Sequence, residues 1–162
     1  MGQQQLLLVI LVTIIVGIAT VVAINTFGTA ADSANVDAVR QDIAQIAAAS
    51  QGYFLKPAML GGGSRSFNNI NFDQFAFAGT VHTNPLIAYN ENGTYQITVA
   101  GTDSEELTIE AWPASNDGYG TPPTVAGPSL EATARANELV WVRNTPGSTE
   151  LAGSEDQNTD ND

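Results

Sequence analysis

The chain has 162 residues, 17 acidic side chains against five basic ones, a net charge of −12 and no cysteine. That balance offers no basic patch to track a phosphate backbone, which argues against nucleic acid as a partner, and the lack of cysteine removes disulfides, thiolate ligands and thiol nucleophiles. With the front of the chain given over to apolar residues, the remainder suffices for one modest soluble domain.

The first charged side chain is Asp32, and before it residues 6–27 form a near-unbroken run of Leu, Ile, Val and Ala. About 20 apolar residues at roughly 1.5 Å each cover the hydrocarbon core of a bilayer. A secretory signal peptide carries basic residues ahead of a shorter apolar run, whereas Gln3, Gln4 and Gln5 stand there in this chain, so the segment does not read as an ordinary cleaved signal. Residues 1–30 are expected to be a membrane or filament-core helix. From residue 31 to 55 the apolar residues Ala31, Val36, Val39, Ile43, Ile46, Ala47, Tyr53 and Phe54 keep one stripe, with Asp32, Asp37, Arg40, Gln41, Asp42 and Gln45 on the other face. That three-and-four spacing predicts an amphipathic stalk continuous with the apolar half, ending at Gly52 and at Lys56-Pro57. Gly17 and Gly28 are the weak points of the helix, each costing about 1 kcal/mol relative to Ala.

Residues 56–94 read as a Gly- and Phe-rich connector. Gly61-Gly62-Gly63-Ser64 is expected to be flexible, and no Gly-Lys-Ser/Thr ending makes it a phosphate cradle. Phe67, Ile70, Phe72, Phe75 and Phe77 then alternate with polar residues, as in a loop pinned by its aromatics to a helix or sheet. Residues 95–145 predict a sheet domain. Tyr95, Ile97 and Val99 alternate with Gln96 and Thr98, and Leu107, Ile109 and Ala111 with Thr108, Glu110 and Trp112, with Gly101-Thr102-Asp103-Ser104 as their turn. Residues 130–136 and 138–143 supply two further candidates joined near Asn137, and the Gly- and Pro-rich residues 115–128 are loop. The expected fold is α+β: a long N-terminal α-helix packed against a small antiparallel β-sheet of three to five strands, one sheet face on the helix and one toward solvent. Residues 146–162, rich in carboxylates, read as an acidic tail or surface strap.

Little points to catalysis. His82 is the only histidine, flanked by Val81 and Thr83, and no Ser-centred nucleophile motif or metal-binding His pair is present. The expectation is a protein that is not an enzyme and takes no cofactor or catalytic metal. Asp156, Asn158, Asp160 and Asp162 alternate like the start of a calcium loop but lack its Gly and distal Glu. Asn92-Gly93-Thr94 matches a glycosylation acceptor and, more strongly, a turn ahead of the Tyr95 strand.

An apolar N-terminal helix running on as an amphipathic stalk, then a connector and a small antiparallel sheet, resembles the type IV pilins and the pseudopilins of type II secretion. The architectural likeness spans the chain, and its sequence-specific part is confined to residues 5–27. In that family a peptidase removes a short leader, a glutamate stands at the fifth mature position and a proline often interrupts the helix near position 22. Here Gln5 and Val22 occupy those places if Met1 is the mature start. The resemblance implies a structural subunit of an extracellular filament on the cell surface, resident in the inner membrane before pilus assembly machinery builds it into a helical homopolymer. The alternatives are a pseudopilin of a secretion system and a monomeric signal-anchored surface binding module. In the filament reading the subunit contacts are carried by Gln5, Leu6, Leu7, Leu8, Ile10, Leu11, Ile14, Ile15, Ile18, Val21, Val22, Ile24 and Phe27. Packing this column against copies of itself removes it from water, and Gln5 can accept a hydrogen bond from a neighbour's amine without neutralising it.

Overall fold

The computed structural model describes residues 2–99, 105–116 and 130–143. Helix α1 covers Gly2–Leu55, and the chain divides into two compact units, one ending at Ala34 and the other beginning at Asn35. In the first unit every described side chain is exposed. In the second, Val39, Ile43, Ile46, Ala47, Ser50, Tyr53 and Phe54 are buried, which is the predicted stripe from Val39 onward with Ser50 added, whereas Val36 is only half-buried and Ala31 is exposed. Ser50 tolerates burial because its hydroxyl donates to the Ala47 carbonyl at 2.8 Å, so no polar group is orphaned.

A six-stranded antiparallel meander packs against this half of α1, its strands neighbours in chain order. They are β1 (Thr80–Val81), β2 (Ile87–Tyr89), β3 (Gly93–Val99), β4 (Leu107–Pro113), β5 (Leu130–Ala134) and β6 (Leu139–Arg143). Period-2 alternation sorts the faces: Tyr95, Ile97, Leu107, Ile109, Leu130, Ala132 and Ala134 are buried, while Gln96, Thr98, Thr108 and Glu110 are not. Ile97 stands opposite Ile109, and Ile109 opposite Ala132, so one apolar row crosses three strands beneath the helix. A bulge at Glu131/Ala132 shifts the register toward β6. Asn35 and Gln51 are among the polar side chains that tie the helix to the rest of the domain, at separate points. Asn35 donates to the Asn92 carbonyl at 3.0 Å and accepts from Ser115 N–H at 3.2 Å. Gln51 donates to the carbonyls of Arg135 and Glu138 at 3.0 and 3.1 Å, around the β5–β6 turn that contains Asn137.

The structure corrects the expected connector in two ways. It contains β1 and β2, which bring the strand count to six rather than three to five; two- and three-residue strands are too short to show an alternation. The glycine run, moreover, is a tied cap over the end of α1 and not a flexible link. Gly63 N–H donates to the Tyr53 carbonyl at 2.9 Å, Ser64 N–H to Lys56 at 3.1 Å and Arg65 N–H to Phe54 at 2.8 Å, which satisfies carbonyls that a helix end leaves open. A 3-10 turn, Ala58–Leu60, closes through Gly61 in the left-handed region at φ 75°. Side chains at Gly62 and Gly63 would collide with the carbonyls of Lys56 and Ser66, so the run is glycine because the cap passes too close for a Cβ.

The phenylalanine segment behaves as expected. Phe67 packs on Phe54 with centroids 4.9 Å apart, and Phe72 contacts Phe75 and Phe77 at 5.4 and 5.3 Å. Phe77 meets Tyr95 edge-on at 5.3 Å. These tilted and T-shaped pairs are the favoured geometries, each adding about 0.5–1.5 kcal/mol beyond burial. The predicted turn at residues 101–104, most of the loop at 115–128 and the tail at 146–162 lie outside the described residues.

Candidate functional site

The predicted assembly residues all lie on the first half of α1 and all are exposed. Their fractional exposure runs from 50% at Ile10 to 75% at Phe27, and Leu6, Leu7, Leu8, Leu11, Ile14, Ile15, Ile18, Val21, Val22 and Ile24 fall between. Gln5 is exposed beside them. The apolar residues ring the helix on every side rather than forming a stripe. The three threonines within the column turn inward on the backbone: Thr13 donates to the Ile10 carbonyl, Thr20 to Val16 and Thr26 to Val22, at 2.8–2.9 Å. Hydroxyls satisfied this way need no water. Apart from Asn25 the outer surface is therefore apolar, and by length and composition the helix can cross a membrane.

A second cluster, in the other unit, was not legible in the sequence. Asp42 reads there as a solvent-face carboxylate, yet its Oδ2 accepts hydrogen bonds from Asn90 Nδ2 at 2.8 Å, Asn92 Nδ2 at 2.8 Å and the Tyr95 hydroxyl at 2.6 Å. Asn90 Oδ1 in turn accepts from the backbone N–H groups of Asn92 and Gly93 at 2.9 and 3.2 Å, shaping the β2–β3 turn. Asn92 thus lies in the turn and Gly93 already opens β3, with the Asn92 side chain committed to Asp42. Burial first, then the hydrogen bond and negative charge of Asp42, push the Tyr95 hydroxyl pKa far above its ordinary value, against a smaller opposing effect of Asn90. The carboxylate is pinned at one oxygen by three donors, an arrangement that locks the hairpin to the helix.

Beside this cluster lies an open groove of about 520 Å³ bounded by Asp42, Gln45, Thr80, Tyr89, Asn90 and Glu91. Its ionisable rim groups are the carboxylates of Asp42 and Glu91 and the Tyr89 phenol, so it suits a cation or a hydrogen-bond donor and repels anions. No group of three or more His, Cys, Asp or Glu side chains suited to a metal occurs among the described residues. His82 sits between β1 and β2, its Nδ1 accepting from Asn84 N–H at 3.2 Å, and so serves a turn. The alternating acidic residues 156–162 lie outside the described residues.

No family model, curated protein or solved structure matches this chain.

Proposed function

We propose that this chain is the structural subunit of a pilin-like filament at the cell surface, polymerising through residues 6–27 and held in a membrane by the same residues until assembly machinery extracts it. The observation that carries the reading is the uncovered column itself. A helix apolar on all sides, with exposed Leu6, Ile14 and Phe27 at 63%, 55% and 75%, persists only in lipid or against other apolar surface. A simple tether turns Gly-, Ser- or Pro-rich on leaving the bilayer, whereas here the same helix continues into the folded unit. Burying one Leu or Ile contributes about 1.5–3 kcal/mol, so a column of them holds a polymer together without covalent links. The net charge of −12, placed outside such a core, keeps filaments apart and soluble. A pseudopilin in a short secretion piston is the same build with a shorter polymer.

The test is electron microscopy of material sheared from cells, with mass spectrometry of the N-terminal peptide in the same sample. Thin filaments containing the chain are expected. A chain that stays wholly in the membrane pellet, with no filament carrying it, overturns the reading in favour of a monomeric anchored binding module, whose groove at Asp42 and Glu91 is then the place to seek a ligand.

A further inference from the structure

Outside the apolar half of α1, the exposed large hydrophobic side chains among the described residues are Leu55 at 69%, Met59 at 98% and Leu60 at 67%, and all three sit on the cap that closes the helix. Lys56 and Arg65 stand on the same cap. The other basic residues with described side chains are engaged: Arg40 pairs with Asp37, and Arg135 with Glu106 and Glu138. In a chain of net charge −12, the cap therefore gathers two cations with no ion pair among the described residues and the apolar side chains that elsewhere in the domain are buried.

The cap is also tied down by hydrogen bonds. Ser64 Oγ accepts from Ala58 N–H at 2.7 Å, and the backbone bonds to Tyr53, Phe54 and Lys56 hold it to the helix. Ser64 and Arg65 both take left-handed φ values of 50° and 69°, a conformation that non-glycine residues adopt at a cost and that persists where a structure has a use for it. A loop hydrogen-bonded to its helix while it presents Met59 to solvent has less ordering entropy to lose when a partner arrives.

We infer that this cap docks into the acidic groove at Asp42 and Glu91 of a second copy of the chain, so that successive domains are joined head to tail. Charge decides the partner, because two cations flanking exposed apolar groups complement a groove whose charged rim groups are carboxylates, and subunits that otherwise repel one another need such a contact. Position agrees. Asp42 precedes Leu55 by 13 residues on α1, about 20 Å of helix rise, so cap and groove are separate surfaces of one unit. Two different complementary surfaces make a heterologous contact, which propagates into an open polymer. The inference rests on the filament reading and adds to it a second, polar contact between the domains.

The test uses the full chain in cells, scoring sheared filament mass relative to total chain. Lys56→Glu with Arg65→Glu is expected to lower filament yield by about tenfold, since two attractions become repulsions in every repeat, with chain level and thermal unfolding of the domain unchanged. Adding Glu91→Arg, on the exposed turn of the groove, should restore most of the yield. Met59→Asp offers an independent loss through the apolar part of the contact. Wild-type yield from the Lys56/Arg65 double variant, or no rescue by Glu91→Arg, overturns the inference while the filament reading stands. If the double variant instead keeps its filaments but loses binding to phosphatidylcholine vesicles doped with anionic lipid, the cap is a lipid contact and the inference is wrong. Absence of filaments in wild type overturns both readings together.

Discussion

The two halves of α1 are one continuous helix built from similar aliphatic residues, and they meet opposite fates. Residues 2–34 leave every side chain exposed, whereas from Asn35 onward each turn turns an apolar residue into the core. The difference lies in what each half has available to it. The second half carries a stripe with polar residues opposite, and a sheet from the same chain covers the stripe. The first half is apolar nearly all round, and what covers it must be lipid or other apolar surface. Amphipathicity thus separates the half of the helix that folds the domain from the half that we propose assembles it.

The sharpest way to break this comparison is to put the same charge in each half. Ile46→Asp places an unpaired carboxylate at a position 1% exposed and is expected to cost about 3–5 kcal/mol, enough to unfold a domain of ordinary stability. Near-UV circular dichroism of the tryptophans at 112 and 141 reports it. Ile14→Asp should leave that signal and its melting temperature unchanged and instead abolish sheared filaments. If Ile14→Asp melts the domain, the two halves do not divide the labour as described.

Asp42→Ala sharpens the boundary between helix face and solvent. It strips the acceptor from Asn90, Asn92 and the Tyr95 hydroxyl, and partly buried donors left without a partner cost about 1–3 kcal/mol. Chemical denaturation should show a lower midpoint with the same slope. A neutral outcome would return Asp42 to the solvent face that its sequence neighbours suggest.

The smallest expected effect is a pH dependence. Burial first and Asp42 next raise the Tyr95 pKa in the folded state, above the value of about 10 in an unfolded chain. The folded protein then holds a proton that the unfolded chain releases, so this contribution is fully present below about pH 10 and is lost as pH rises beyond it. Domain stability should fall by up to about 1.4 kcal/mol per pH unit in that range. Tyr95→Phe should cost about 1 kcal/mol at neutral pH and remove this part of the alkaline slope.

What the sequence disclosed, and what it withheld, follows the range of the interactions. The buried stripe of α1, the strands at Tyr95 and Leu107, and the pair around Asn137 are written in local periodicity and were legible. The three donors to Asp42 lie 48 to 53 residues away from it, and no window of neighbouring residues contains such a contact. The glycine cap escaped for a related reason: its glycines make room for carbonyls across a turn, yet in composition they look like a linker. Strands β1 and β2 were too short to alternate. Of the candidate site, the apolar column was plain from composition alone, since the absence of charge before Asp32 needs no tertiary information. The cationic cap was not, because only the structure separates Lys56 and Arg65 from the basic side chains already paired.

The most direct measurement exploits the absence of cysteine in the chain. Leu7→Cys and Ile24→Cys are placed together in one subunit, and sheared material is treated with a short bifunctional maleimide spanning the roughly 8–10 Å between packed helices. If residues 6–27 pack against copies of themselves, denaturing gels will show a ladder of dimers, trimers and higher species from the sheared fraction. Monomer alone, from a fraction in which filaments are visible and both cysteines react freely with a water-soluble thiol reagent, would contradict the claim that the apolar column is the polymer's core.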